Sequence, residues 1–191
     1  MKAKRGFSLM EVIVVIAIMG VLSAILIPGV SSVQGYLMRS KNKIFLSELV
    51  MALESYKATY GFYPRCLKEN CVNDSRDVAE PLFMSLSGRM PNGAELSPSE
   101  REKFNKKAVC FYEFHQENLK EEGPRHFLMD YSGNEHIFFV VKAKSESIIP
   151  ESLIPHLSRS LLPQNVFRKN IICYTLSCNE KNAEPVVCWG H

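Results

Sequence analysis

The sequence predicts an α+β protein in which one long N-terminal spine helix, membrane-spanning over its first half, is packed against a small antiparallel β-sheet domain. Three observations predict it. The stretch from Phe7 to Val30 carries a single charged side chain, Glu11, and follows a leader holding the positive charges of Lys2, Lys4 and Arg5. From Leu37 to Tyr60 apolar residues recur at three- and four-residue spacing with charges between them, the pattern of a helix with one buried face. Beyond Gly61 the pattern changes to short apolar runs separated by Gly, Pro and Asn, which reads as strands and turns. The chain therefore divides into a leader (1–6), the membrane half of the spine (7–30), its amphipathic half (31–60) and a globular domain (61–191).

As an α-helix, residues 7–30 would rise about 36 Å at 1.5 Å each, enough to cross a hydrocarbon core of about 30 Å. Basic residues before the span hold the N-terminus in the cytoplasm and send the remainder across the membrane. Glu11 stands out, because a carboxylate in hydrocarbon costs roughly 2.5–3.5 kcal/mol unless it is paired or snorkels. A secretory signal peptide shares the basic and apolar regions, but Glu11 interrupts its apolar core and Leu22-Ser23-Ala24 offers no small-x-small cleavage site. A plain uncleaved anchor gives no reason for Gly6-Phe7 or for the acid one turn later.

Gly6-Phe7-Ser8-Leu9-Met10-Glu11, followed by Val12-Ile13-Val14-Val15-Ile16-Ala17-Ile18, resembles the class III leader of type IV pilins and type II secretion pseudopilins. The resemblance implies that a membrane aspartyl prepilin peptidase cuts between Gly6 and Phe7 and that the new amine of Phe7 is methylated. It also implies that Glu11 pairs with the Phe7 amine of a neighbouring subunit. Independently of the family, Glu11 lies four residues after Phe7, one helical turn from a positive amine at the helix N-terminus. Gly20 and Pro28 stand where the family's spine carries a glycine and a kinking proline.

In the amphipathic half, Leu37, Ile44, Phe45, Leu49, Ala52, Leu53, Tyr56 and Tyr60 form the predicted buried stripe, with Lys41, Lys43, Glu48, Glu54 and Lys57 off it. A bend is expected near Pro28 and Gly29, with Gly35 a second candidate. Gly61 and Pro64 form a helix stop. The segment Ala52 to Pro64 is similar to the end of the spine helix in major pseudopilins.

The remaining ~130 residues suffice for one domain. Residues 65 to 107 read as loop and short helices, with a capping box at Ser97-Pro98-Ser99-Glu100 opening a helix over Arg101 to Lys107. Strands are expected at Val109 to His115, His126 to Met129, Ile137 to Lys142, Ile171 to Leu176 and Val186 to Trp189, with turns at Glu121-Glu122-Gly123-Pro124 and Ser132-Gly133-Asn134. Ile148 to Leu162, broken by Pro150 and Pro155, reads as a loop with helical turns.

Asp130-Tyr131-Ser132-Gly133-Asn134-Glu135 resembles the Asp-x-Trp-Gly-Asn turn of pseudopilins. Their calcium loop is not evident here: Glu184-Pro185 replaces the acidic pair, Asn179-Glu180-Lys181-Asn182 lacks the Gly-Asp run, and calcium wants six to eight oxygens. No metal ligand or cofactor is therefore assigned. Cys66, Cys71, Cys110, Cys173, Cys178 and Cys188 all fall on the exported side, where disulfides persist. Six cysteines allow fifteen connectivities, and spacing leaves all of them open. A thiolate zinc site or redox pair would need Cys-x-x-Cys spacing, which is missing.

Removing the three leader charges from the formal +3 leaves a mature chain with no net charge, so no basic field marks it for nucleic acid. His115, His126, His136, His156 and His191 are scattered, and neither Gly-x-Ser-x-Gly nor His-Glu-x-x-His occurs. Asn73-Asp74-Ser75 matches a glycosylation sequon, a weak pattern. No enzymatic activity is expected, nor a concave polar pocket. The resemblance implies a pseudopilus subunit of the inner membrane with a periplasmic domain, partnered by other pilin or pseudopilin subunits, the prepilin peptidase and the assembly platform. A type IV pilus major or minor pilin is the near alternative, and a membrane-anchored periplasmic binding domain or enzyme the distant one.

Overall fold

The computed structural model describes residues 9–69, 71–142, 170–176 and 185–188, except for the side chains of 24–32. Helix α1 runs Leu9–Tyr60 without interruption in its assignment, so it passes through Pro28, Gly29 and Gly35. The chain forms two compact units, residues 1–38 and 39–191.

In the first unit α1 presents apolar side chains on every face. Leu9, Met10, Ile13, Ile16, Met19 and Val21 are all more than half exposed, and a side chain added at Gly20 would touch nothing. A hydroxyl among them is satisfied locally: Ser23 Oγ donates to the Met19 carbonyl at 2.8 Å, the usual way a serine is accommodated in an apolar helix. Among the described residues no helix is long and apolar enough to cross a membrane. The described apolar side chains of this stretch stop at Ser23, and fifteen residues span about 22 Å, short of a hydrocarbon core of about 30 Å.

In the second unit α1 buries one face. Asn42, Phe45, Leu46, Leu49, Ala52, Leu53 and Tyr56 are buried. The expected stripe is corrected at three places: Leu37 and Ile44 are exposed, and Leu46, which it omits, is wholly buried. Phe45 fixes the face. Counting from it by helical spacing reaches Leu49, Leu53 and Tyr56, whereas Leu37, Ile44 and Met51 follow one another at seven-residue intervals along a separate, exposed line. The helix ends where glycine permits it to, since Gly61 adopts φ +84° and donates its N–H to the Lys57 carbonyl at 2.7 Å.

Strands β1 (Val72–Asp74), β4 (Ile137–Val141), β5 (Ile171–Thr175) and β6 (Val186–Val187) form one antiparallel sheet in the order β1-β4-β5-β6. β2 (Leu119–Glu122) and β3 (Arg125–Leu128) form a separate hairpin. Every residue of β5 is buried, and Phe139, Val141, Ile171 and Cys173 join Phe45, Leu49 and Leu53 of the spine in one core. Helix α2 (Ser75–Ser87) adds Leu82 and Leu86 to it.

Four expectations for this domain change. Residues 65–107 contain the 13-residue helix α2, whose signal is its cap: Asp74 accepts from the Arg76 N–H and Gly88 closes the other end at φ +70°. The capping box of Ser97 and Glu100 is present, but the helix it opens, α3, ends at Phe104. Val109 to His115 is not a strand. Its Phe111 and Tyr112 N–H groups both donate to the Leu86 carbonyl, and Phe111 packs edge-on against Tyr56 at 5.4 Å, so side-chain packing rather than a ladder holds it. Glu121 and Glu122 belong to β2, and the turn is Gly123-Pro124 alone. The segment 148–162 and Trp189 lie outside the described residues.

Candidate functional site

Gly6 and Phe7, the expected cleavage and methylation positions, lie outside the described residues, as does the side chain of Pro28. Glu11 is described: it is exposed and sits in the first turn of α1, where the helix dipole favours a negative charge. The large apolar side chains that follow it from Val12 to Leu22 are exposed among the described residues. This arrangement can do two things chemically: offer a carboxylate to a cation at the helix end, and offer a fully apolar surface to lipid or to other helices.

The amphipathic half of α1 is the opposite kind of surface, and five buried asparagines tie it and its surroundings together. Asn42 reaches from the spine to the turn between β3 and β4, accepting the Tyr131 N–H at 2.7 Å and donating to Ser132 Oγ at 2.8 Å. Within that turn Asp130, itself buried, accepts from the Ser132 and Asn134 N–H groups at 2.8 and 2.9 Å and from the Thr175 hydroxyl at 3.0 Å. Asn134 donates to Thr175 Oγ1 at 2.6 Å and to the Leu176 carbonyl, and accepts the His136 N–H. The turn thus joins spine, β4 and β5, and Gly133 at φ +79° lets the chain reverse inside it. The sequence flags this turn; the role of Asn42 had no signal, because a lone asparagine on a helix reads as surface.

At the far end of α1, Tyr56 donates to the Phe104 carbonyl at 2.6 Å and Tyr60 to Asn105 Oδ1 at 2.7 Å. Burial, helped by the neighbouring Tyr60, pushes the Tyr56 phenol up to about 12. Asn105 in turn donates to the Ser85 and Val109 carbonyls, pinning the loop after α3 to α2. Asn73 holds the loop ahead of it through the Lys68 N–H and the Lys68, Cys71 and Phe139 carbonyls. Its amide is consumed, so the Asn73-Asp74-Ser75 sequon is a structural corner rather than a glycosylation site. Asp74 Oδ2 meets His136 Nδ1 at 2.6 Å, and Ser75 Oγ accepts the Ile137 N–H.

No disulfide is seen among the described residues, which include Cys66, Cys71, Cys110, Cys173 and Cys188, and Cys178 lies outside them. Asn73 ties Lys68 and Cys71 together across the loop between them. Burial raises the Cys66 thiol to about 12. Cys173 and Cys188 stand together one step beyond the Tyr174–Val187 pair, with the Cys188 N–H donating to the Cys173 carbonyl at 3.1 Å and the Cys173 N–H to Cys188 Sγ at 3.2 Å.

Among the described residues no group of His, Cys, Asp or Glu is gathered to hold a metal, and the Asn179–Asn182 loop and Glu184 lie outside them. An open groove of about 710 Å³ runs between the end of α2 and residues 110–121, lined by Phe83, Phe114, Glu113 and His126 among others.

The model of the prokaryotic N-terminal methylation motif matches residues 1–27. The match marks the N-terminal segment as a class III prepilin leader of the kind carried by type IV pilins and pseudopilins. Such a leader implies processing by prepilin peptidase, assembly with other pilin subunits and anchoring in the inner membrane. Neither a curated protein nor a solved structure gives a significant match to the chain.

Proposed function

We propose that the protein is a non-catalytic structural subunit of a type II secretion pseudopilus, cut between Gly6 and Phe7, methylated at Phe7, held in the inner membrane by residues 7–30 and built into a short filament that assists export. The carrying observation is the match over residues 1–27 joined to a helix that exposes its large apolar side chains from Leu9 to Leu22 on all faces. Such a surface requires lipid before assembly and helix neighbours after it. Moving it between those two environments gains little from water exclusion, so close packing at small residues such as Gly20 and the pairing of Glu11 must supply the preference. Glu11 pairs with the methylated Phe7 amine of a neighbour, which sets axial register. Pro28 bends the spine where membrane and periplasm meet. The downstream resemblance of residues 52–64 and of the Asp130–Glu135 turn favours a secretion pseudopilus over a type IV pilus.

Intact mass and N-terminal sequencing of protein purified from native membranes test the reading. A chain beginning at Phe7 and heavier by one methyl group is expected. A chain that keeps Met1, or one cut about twenty positions later and released, would refute it.

A further inference from the structure

Four cations crowd the C-terminal end of the spine, each lying over an aromatic ring: Lys57 over Tyr63 at 4.5 Å, Arg65 over Phe62 at 5.5 Å, Lys103 over Phe104 at 4.9 Å and Lys107 over Tyr60 at 5.8 Å. The rings belong together, since Tyr60 and Phe62 are 6.3 Å apart and the Tyr56 hydroxyl binds the Phe104 carbonyl. Nearby carboxylates are otherwise engaged: Glu54 accepts from Tyr63 and Glu102 pairs with Lys106. Among the described residues these four cations meet rings and no carboxylate, and Arg65, Lys103 and Lys107 are exposed. Ring faces hold a cation in place without neutralising it, so the end of the spine is a pre-ordered positive surface with apolar backing.

A hollow of complementary character lies lower on the same helix. It measures about 620 Å³ and is lined by Ile44, Phe45, Glu48, Glu117, Tyr131 and Lys41 among others. Glu48, Glu117 and Tyr131 line it together, and Glu113 is exposed four residues before Glu117. Two basic side chains share the lining, His115 and Lys41, and Lys41 is held over Tyr131 at 5.5 Å. The hollow has an apolar floor, Ile44, that is exposed in the lone chain.

We propose that this hollow receives the ring-backed cations of a second copy of the chain, displaced along the spine. The inference rests on the filament reading above and names a contact within it. Residues 44 and 57 are separated by about 20 Å of helix at 1.5 Å per residue, so two parallel copies offset by that distance bring the positive end of one to the acidic hollow of the other. Each copy carries both halves of the contact at different places. A contact of that type is heterologous and repeats without closing, as a filament requires, and a two-fold dimer cannot make it. Opposite charges meeting across the contact would fix register and reject a copy at the wrong offset. A polyanion such as single-stranded DNA is the competing occupant for the cations, but it gives no role to the acidic hollow.

Charge reversal tests the proposal in the full chain, expressed with its own assembly machinery and scored by sheared filament yield. K103E with K107E, or E48K with E117K, is expected to lower filament yield at least tenfold while leaving leader cleavage unchanged, and the four changes together to restore at least half. Normal filaments from either double variant, or no recovery in the fourfold variant, would overturn the contact. So would filaments of normal yield from K103E with K107E that have lost only salt-sensitive retention of single-stranded DNA. Should a reversal prevent accumulation, K107Q and E117Q take its place, each with an expected threefold loss, and unchanged yield from both counts against the proposal. A correctly cut wild type that builds no filament refutes the filament reading itself, and this contact with it.

Discussion

The two halves of α1 are one helix by backbone and two different objects by surroundings. From Leu9 to Leu22 nearly every large side chain is exposed, Leu9 by 80%, whereas Leu46, Leu49 and Leu53 in the other half are completely covered. The difference lies in partners, not in propensity. The second half carries its partner in the same chain: the sheet, α2 and the asparagine-tied loops. The first half has a run of apolar residues on all faces and no cover within the described residues, so its partner must come from outside. The teaching is that the helix is built to be stable at one end before assembly and to acquire its remaining contacts at the other.

Glu11→Ala should break this comparison most severely. It removes the single charged side chain between Leu9 and Met38, so filament yield should fall at least a hundredfold, with cleavage at Gly6 and the thermal midpoint of the domain unchanged. A charge pair formed away from water is worth about 3 kcal/mol, roughly a hundredfold in an equilibrium constant, when one partner is removed. Sheared filament yield beside immunoblots of the processed chain is the measurement. Normal filaments would mean that Glu11 is not the pairing group.

A matched pair of truncations sharpens the contrast. Leu53→Ala should cost the domain about 3 kcal/mol, the usual range for a fully buried leucine. Ile16→Ala, at a position 63% exposed, should change domain stability by less than about 0.5 kcal/mol. Denaturant titration of the detergent-solubilised protein reads both. Equal effects would abolish the distinction between the halves.

Smaller effects are expected from the devices that tie loops to the buried half. Asp130→Ala strands the Ser132 and Asn134 N–H groups and the Thr175 hydroxyl, at a cost of about 2 kcal/mol. Gly88→Ala should cost about 1–2 kcal/mol, because φ is +70° and a Cβ would stand 3.2 Å from the Ala108 backbone. Thermal unfolding measures each, and a neutral result at Asp130 would mean that solvent replaces its hydrogen bonds.

These devices also mark how far the sequence could be read. The apolar run, Gly61, the Ser97–Glu100 box and strands β3 to β6 were visible because each depends on near neighbours in sequence. Helix α2 was harder to see because Pro81 lies inside it and proline normally argues against a helix. Leu37 and Ile44 were misplaced because two apolar lines share this stretch of helix, and only the packing partner decides which is covered. Asn42, Asn73 and Asn105 carried no sequence signal at all: their roles depend on carbonyls and N–H groups tens of residues away. For the site, the leader and Glu11 were fully legible as a motif, while the asparagine ties that hold the rest of the spine required coordinates.

The smallest expected effect concerns pH. The Lys120 ammonium, with Arg76 beyond it, lowers the Glu135 carboxyl below its ordinary range, and Arg76 Nη1 lies 3.3 Å from the carboxylate. A carboxyl that is more acidic folded than unfolded stabilises the fold fully above the unfolded value of about 4.3 and loses that contribution as pH falls through the lowered folded value. Stability of the domain should therefore decline on acidification below about pH 4.3, and Glu135→Gln should remove part of that slope. Because Lys120 and Arg76 are partly in water, the difference between wild type and variant at neutral pH should stay below about 1 kcal/mol. Urea midpoints between pH 3 and pH 7 compare the two directly. Parallel curves would show that the ion pairs around Glu135 add nothing to the domain, leaving the asparagine ties and the apolar core to hold the buried half of the spine.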